Sequence, residues 1–339
     1  MMGVLNHLST LLLLSLLPPA LSHVVGNFSE CKKFFMEGTT PNLPGILVNG
    51  TVQNQGQNQN RYKPICQKFN NIYRFATLYD TTNRIPVFSA YTFTGPPTGP
   101  RPNQHWMIEP QLEDKNGQSD MEVDNKAVTH QAANADYDKN KLNLHRGHLF
   151  PCSYAPDDET MRSTFTLTNV VPQKGSFNGG RWMQMECRVR KALLNNCKNN
   201  NQIEAYVVTG AVPNINNNQL KERVNIPDIL WTAFCCKNNL GQWVAGAYWG
   251  ENKKDNGNIL NLETLRALEV KLKESYKVDG NVKVFHDKCP RNVNVQQVES
   301  VEEVEPGKKR GREESGEGSN KMERTSGELK ECDDEDRWQ

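Results

Sequence analysis

The sequence predicts an α+β fold with a mainly antiparallel sheet, on three observations. Stretches rich in β-branched and aromatic residues recur at 72–78, 85–92, 205–212, 230–236, 243–249 and 282–286. Two stretches carry apolar residues at helical spacing, 181–194 and 262–276. Strands and helices do not alternate regularly, as a parallel sheet built from crossovers would require.

Each element has a local reason. Asp80-Thr81-Thr82-Asn83 separates the first two strands and reads as a hairpin turn. In the first helix Trp182, Met185, Val189, Leu193 and Leu194 recur on one face. In the second, Asn261 can cap the start and Asp279-Gly280 can follow the end. The Gln/Asn/Gly run 53–60 fits a surface loop.

The 339 residues divide into three expected segments: 1–22, 23–290 and 291–339. The first resembles a secretion signal. An apolar run from Leu8 to Leu17 is broken only by Ser9, Thr10 and Ser15, and Pro18-Pro19 and Ala20-Leu21-Ser22 follow it. It lacks a basic start and is shorter than the roughly 20 residues a bilayer span needs. No later segment is long and apolar enough to cross a membrane, so a secreted protein without stable membrane contact is expected. From Arg291 onward the large apolar residues thin out, and 9 basic residues face 14 acidic ones, a net of −5. Such a tail cannot bury enough surface to offset its chain entropy and is expected to be disordered. Its Lys308-Lys309-Arg310-Gly311-Arg312 run reads as a solvated basic patch or processing site. The rest of the chain carries +6, a weak argument for a polyanionic partner.

Cysteine usage agrees with export. Eight cysteines lie before residue 290, at 31, 66, 152, 187, 197, 235, 236 and 289, and a ninth, Cys332, lies in the tail. An even set in an exported domain reads as disulfides, Cys152 and Cys187 included, with pairing left open. Cys235 and Cys236 are adjacent in a strand, so they should face opposite ways and take different partners. Asn27-Phe28-Ser29 and Asn49-Gly50-Thr51 are glycosylation sequons.

Chemistry concentrates between His145 and Arg190. The stretch holds His145-Arg146-Gly147-His148, Thr168-Asn169-Val170-Val171-Pro172-Gln173 and Asn178-Gly179-Gly180-Arg181-Trp182, then Glu186 and Arg190. A neutral imidazole near pH 7, here His148, suits a general base. Arg146 is expected on the other side of an extended segment from His148. Asn178 can cap a helix, or ligate Mg²⁺ through its carbonyl oxygen, since Mg²⁺ keeps several waters and needs few protein ligands. Trp182, Glu186 and Arg190 are spaced by four, one stripe of a helix with Asn178 near its start. Taken alone, Glu186 and Arg190 would be an ordinary surface ion pair. His145, His148 and Cys152 could supply three zinc ligands, but no fourth stands at a familiar spacing.

These three motifs, in this order, resemble the DNA/RNA non-specific endonucleases with a ββα-metal (His-Me finger) core, over residues 62–289. The family's Asp-Arg-Gly-His motif stands here as His145-Arg146-Gly147-His148, with His145 in place of the acid. The resemblance implies His148 as general base, Asn178 as direct metal ligand and Glu186 as holder of metal-bound water. It implies Arg146 and Arg190 as catalytic, phosphate-binding groups, and Arg101 as a further phosphate-binding arginine. Mg²⁺ or another divalent cation such as Mn²⁺ is the implied cofactor, and DNA or RNA, met through its backbone, the implied substrate. Cleavage would leave 5′-phosphate and 3′-hydroxyl ends. The changed acid also leaves room for a catalytically weak secreted module that binds nucleic acid or protein in the same cleft.

Overall fold

This computed structural model describes residues 24–53, 60–216, 218–255 and 257–296. The leader, most of the 53–60 run and the tail beyond 296 lie outside the described residues. In chain order the long elements are β1 (Tyr62–Phe69), β2 (Ile72–Asp80), β3 (Ile85–Phe93), β4 (Leu144–His148), β5 (Val170–Lys174), α1 (Met183–Asn196), β6 (Ala205–Val212), β7 (Ile229–Lys237), β8 (Trp243–Glu251) and α2 (Leu265–Tyr276).

Six strands form one sheet in the order β8-β7-β6-β3-β2-β1, with every neighbour antiparallel. The α+β expectation therefore holds. The β2–β3 hairpin closes at the expected turn, where the Asp80 carboxylate accepts from the Thr82 and Asn83 amides at 3.0 and 3.1 Å. Strand β1 contains Pro64, which cannot donate to a ladder, and it lies at the sheet edge, where such a residue is tolerated.

The central strands alternate between two cores. One face buries Phe75, Tyr91, Val207 and Phe234, together with Phe150, Val171, Trp182, Met185 and Val189. The other buries Ala76, Val208, Trp231 and Cys235, together with Phe28, Phe34, Leu265, Leu268 and Leu272. Period-2 alternation thus serves both faces of a buried sheet. Helix α2 covers the second face, and the β4–β5 hairpin followed by α1, a ββα unit, covers the first.

Several details differ from the sequence reading. Helix α2 starts later than expected, and its cap is Thr264, whose hydroxyl accepts from the Ala267 amide at 3.2 Å. Residues 282–286 form no strand. Lys283 makes a single bridge to Asn42, while Val282, Val284 and Phe285 are buried as anchors. Packing beyond Cys289 continues: Arg291 pairs with Glu269 at 3.1 Å, and Val295 is buried in the same core as α1.

Adjacent Cys235 and Cys236 do take different partners, in the disulfides Cys235–Cys289 and Cys197–Cys236, and Cys31 pairs with Cys66. Cys152 is a buried free thiol, so its expected pairing does not form. The Cys197–Cys236 bond ties the end of α1 to β7 across 39 residues. Replacing both by serine should lower unfolding stability by about 2–4 kcal/mol. A urea midpoint equal to that of the unaltered protein would contradict this.

Candidate active site

The β4–β5 hairpin sets the first wall of the site. Its register places Gly147 opposite Val171 and His145 opposite Gln173. A Cβ on Gly147 would come within 2.0 Å of Gln173 Oε1, so the glycine is what lets Gln173 lie across the hairpin. The Thr-Asn element just before β5 is structural. Asn169 Oδ1 accepts from Ser89 Oγ at 2.9 Å and from the Phe150 amide at 3.0 Å, and its amide donates to the Phe150 and Thr164 carbonyls. Gln67 Nε2 donates to Thr168 Oγ1 at 2.8 Å. Buried bonds of this kind fix the hairpin against the main sheet. Asn252 supports it from beyond, accepting from the Lys174 amide and donating to the Pro172 carbonyl.

The second wall is the entry to α1. Asn178–Trp182 forms one π-helical turn, not the regular start of a helix. Such turns are rare and concentrate at functional sites. Gly180 sits at φ −113° and ψ −118°, outside the helical region. A Cβ there would lie 2.1 Å from Asp255 Oδ2. That carboxylate accepts instead from the Arg181 amide at 3.0 Å and holds the break in place. Trp182 is buried and sends its indole N–H to Glu186 Oε1 at 2.9 Å. The Tyr154 hydroxyl donates to the Glu186 carbonyl at 2.5 Å. The first contact holds the Glu186 carboxylate and the second holds the backbone that carries it, on the first turn of α1.

Between the walls lies a cleft of about 390 Å³. Arg101, His145, Arg146, His148, Asn178, Glu186 and Arg190 all line it, so residues spread over 90 positions of sequence meet in one place. Trp106, Cys152, Tyr154 and Cys187 also line it.

Arg146 and His148 share a side of β4, contrary to expectation. Side chains two apart on a strand point the same way, and both pack on Trp106, at 5.4 Å each. Arg146 also lies 5.0 Å over the Tyr137 ring and pairs with Asp138 at 2.7 Å. His148 is wedged between Trp106 and Phe165, and Arg101 lies 5.0 Å over the other contact ring, Phe165. Its Nε2 is buried without a hydrogen-bond partner. Burial, with the Arg101 charge adding to it, pushes the imidazole down to about 3. The ring is therefore neutral at physiological pH. Burial pushes the Cys152 thiol up to about 11, so it is not a ready nucleophile.

Among the described residues no group of three His, Cys, Asp or Glu side chains is arranged to hold a metal, which leaves the zinc reading without a site. The donors of the opposite wall are an amide oxygen at buried Asn178 and a carboxylate at Glu186, both hard oxygens. Such a sparse set fits a hydrated Mg²⁺ or Mn²⁺ and does not fit a soft metal.

Trp106, Asp138 and Asp255 carry no signal in a single sequence. They become visible only once chain-distant segments meet.

The hairpin, the entry to α1 and the loop that carries Arg101 gather a neutral histidine, three arginines and an amide–carboxylate pair in one cleft. A model of the DNA/RNA non-specific endonuclease family matches residues 53–292, and the chain belongs to that family. It is 33% identical over 227 residues to the endonuclease domain-containing 1 proteins of Homo sapiens and Mus musculus. Those alignments cover 65% of this chain and 41% of each relative, so the chain spans about two fifths of the length of the curated relatives it matches. A solved structure of an EndoG/EndoGI complex, concerned with the mechanism of EndoG inhibition, aligns at 17% identity and a TM-score of 0.44. That alignment covers 61% of this chain and 84% of the other, too distant to weigh further.

Proposed function

We propose that this domain is a metal-dependent endonuclease that hydrolyses backbone phosphodiester bonds of DNA or RNA without strong sequence preference. The observation that carries the reading is the cleft itself, where His148 faces the Asn178–Glu186 wall with Arg101, Arg146 and Arg190 around it.

The arginines supply charge for the phosphate. Arg146 is pre-oriented by Trp106, Tyr137 and Asp138, which lowers the entropy lost on gripping an anion. His148 takes a proton from the attacking water. In the free protein its low basicity makes it a weak base. Burial is the larger cause of that low basicity and the Arg101 charge the lesser one, so a phosphate bound against Arg101 screens only the lesser cause and raises the ring part of the way back. Asn178 and Glu186 would hold a divalent cation, Asn178 directly and Glu186 through water. When bound, that cation supplies charge stabilisation for the phosphoryl oxygens and the leaving 3′ oxygen. Nothing in this arrangement requires contact with base edges, which accounts for weak sequence preference.

This scheme separates two pH profiles. The kcat/KM profile reports the free protein, and the kcat profile reports the complex. The acid limb due to His148 should lie higher in kcat than in kcat/KM. Exchanging Arg101 for Gln should raise the kcat/KM limb by removing a positive neighbour. Coincident limbs that ignore the exchange would contradict the role given to Arg101.

Digestion of plasmid by purified protein with Mg²⁺, with and without EDTA, tests the activity directly. Export belongs to the same proposal. It is supported by the three disulfides and by the exposure of both sequon asparagines, Asn27 and Asn49. No helix among the described residues is long and apolar enough to cross a membrane.

A further inference from the structure

One short loop holds both walls of the cleft. It follows β8 and runs from Asn252 to Asp255. Asn252 is anchored first to the segment before β7. Its amide donates to the Asp228 carbonyl at 2.8 Å and its side chain to the Pro227 carbonyl at 3.0 Å. The same side chain accepts from the Lys174 amide at 2.8 Å and donates to the Pro172 carbonyl at 2.9 Å. It therefore grips β5, the strand paired with the one that carries His148.

Three residues on, Asp255 grips the other wall. Its carboxylate accepts from the Arg181 amide at 3.0 Å and stands 3.8 Å from Arg181 Nε. Its own amide donates to Ser176 Oγ at 3.1 Å. Arg181 in turn donates to the Glu251 carbonyl at 3.2 Å, at the end of β8. The contacts at Ser176 and Arg181 bracket Asn178.

We propose, resting on the reading of Asn178 as a metal ligand, that Asp255 is the positioning residue for that ligand. The 252–255 loop is a brace that sets the spacing between the histidine wall and the metal wall.

Helix geometry gives the brace a purpose. In an unbroken α-helix, residues eight apart such as Asn178 and Glu186 would point about 80° away from each other. A π turn takes up about one residue more, which leaves about seven effective steps and a divergence of only about 20°. The turn at Asn178–Trp182 thus brings the amide and the carboxylate onto one line, and both line the same cleft. Gly180, where the turn breaks, can adopt helical dihedrals as readily as its present ones. The Asp255 carboxylate occupies the place a regular side chain there would need, and it satisfies the Arg181 amide that the break exposes. With the carboxylate gone, the turn is free to relax toward a regular helix and swing Asn178 away from Glu186.

The probe is Mn²⁺ alone, titrated into the full chain without substrate and followed by the paramagnetic resonance of unbound Mn²⁺. Asp255→Ala should weaken binding at least about tenfold, the usual scale for losing a group that supports a ligand. Asp255→Asn keeps an oxygen for the Arg181 amide and should recover most of the affinity. Gly180→Ala should also weaken binding, because its methyl meets the carboxylate. In the double variant Gly180→Ala/Asp255→Ala that collision is gone. Its loss should match that of Asp255→Ala alone, not the product of the two single losses. Binding of a labelled oligonucleotide in EDTA should be unchanged in Asp255→Ala, because Arg101 and Arg146 lie outside the brace. A general loss of structure would lower both readouts together.

Equal Mn²⁺ affinity for the unaltered chain, Asp255→Ala and Gly180→Ala overturns the proposal, and so do losses that multiply in the double variant. Should Asp255→Ala fail to fold, Gly180→Ala decides, since it keeps the carboxylate and must still lose affinity. An unaltered chain that binds no Mn²⁺ would instead defeat the reading of Asn178 as a ligand, and the brace with it.

Discussion

Replacing His148 by alanine should cost at least about two orders of magnitude in the rate of plasmid cleavage, roughly 2.7 kcal/mol of transition-state stabilisation. The imidazole lines the cleft, is neutral at physiological pH and can accept a proton there. Every arginine around it is a charged donor without acceptor capacity. The ring also packs between Trp106 and Phe165, so a purely structural loss must be separated from a chemical one. Alanine leaves a ring-shaped gap between those two side chains. Added imidazole should enter that gap and restore part of the rate. Circular dichroism should show an unchanged fold. A variant that cuts at near the original rate, or that loses its fold together with its activity and gains nothing from imidazole, would remove His148 as the base.

The parts of the molecule legible in the sequence are those whose side chains follow one period. Strands β2, β3, β6, β7 and β8 are long and carry β-branched or aromatic residues throughout, so their existence and the antiparallel class were readable. Helix α1 was readable because Met185, Val189 and Leu193 face one core. The β4–β5 hairpin was not, because it is short and made of motif residues. Its strand conformation comes from partners far away, Gln67, Ser89 and Asn252. Strand β1 was hidden by Pro64, which argues against a central strand and is harmless only at the edge.

The same division holds for the site. The six expected residues, Arg101, Arg146, His148, Asn178, Glu186 and Arg190, do line one cleft, and that much followed from the family resemblance. Their orientation did not. Arg146 and His148 are on one side of β4 because alternation puts residues two apart together, and the shared contact with Trp106 shows it. The π-turn at Asn178 was read as the start of a regular stripe. Its cause is the meeting of Gly180 with Asp255, 75 residues away in sequence, and local spacing carries no trace of that. Disulfide pairing was likewise settled by which strand ends come together, not by the count of cysteines.

Asn178→Ala should lower cleavage by at least about a hundredfold at fixed Mg²⁺, with chelation by EDTA abolishing it in the unaltered protein. The expected size follows from the sparse donor set. In the proposed scheme, one direct amide oxygen and a carboxylate acting through water would leave little to fall back on when that oxygen is lost. Asn178 is 8% exposed, so alanine also removes a buried polar group, and the loss of rate alone would not prove ligation. Asn178→Asp resolves the ambiguity. Aspartate has nearly the same shape and keeps an oxygen in the ligand position while adding negative charge, so a metal site should survive the change and saturate at lower Mg²⁺. If the side chain served instead through its N–H₂ donors, aspartate would lose them as surely as alanine does. A Mg²⁺ titration of the initial rate distinguishes the two. Activity in Asn178→Asp with a lower half-saturating Mg²⁺ supports ligation, and an Asn178→Asp as inactive as Asn178→Ala at every Mg²⁺ concentration rules it out.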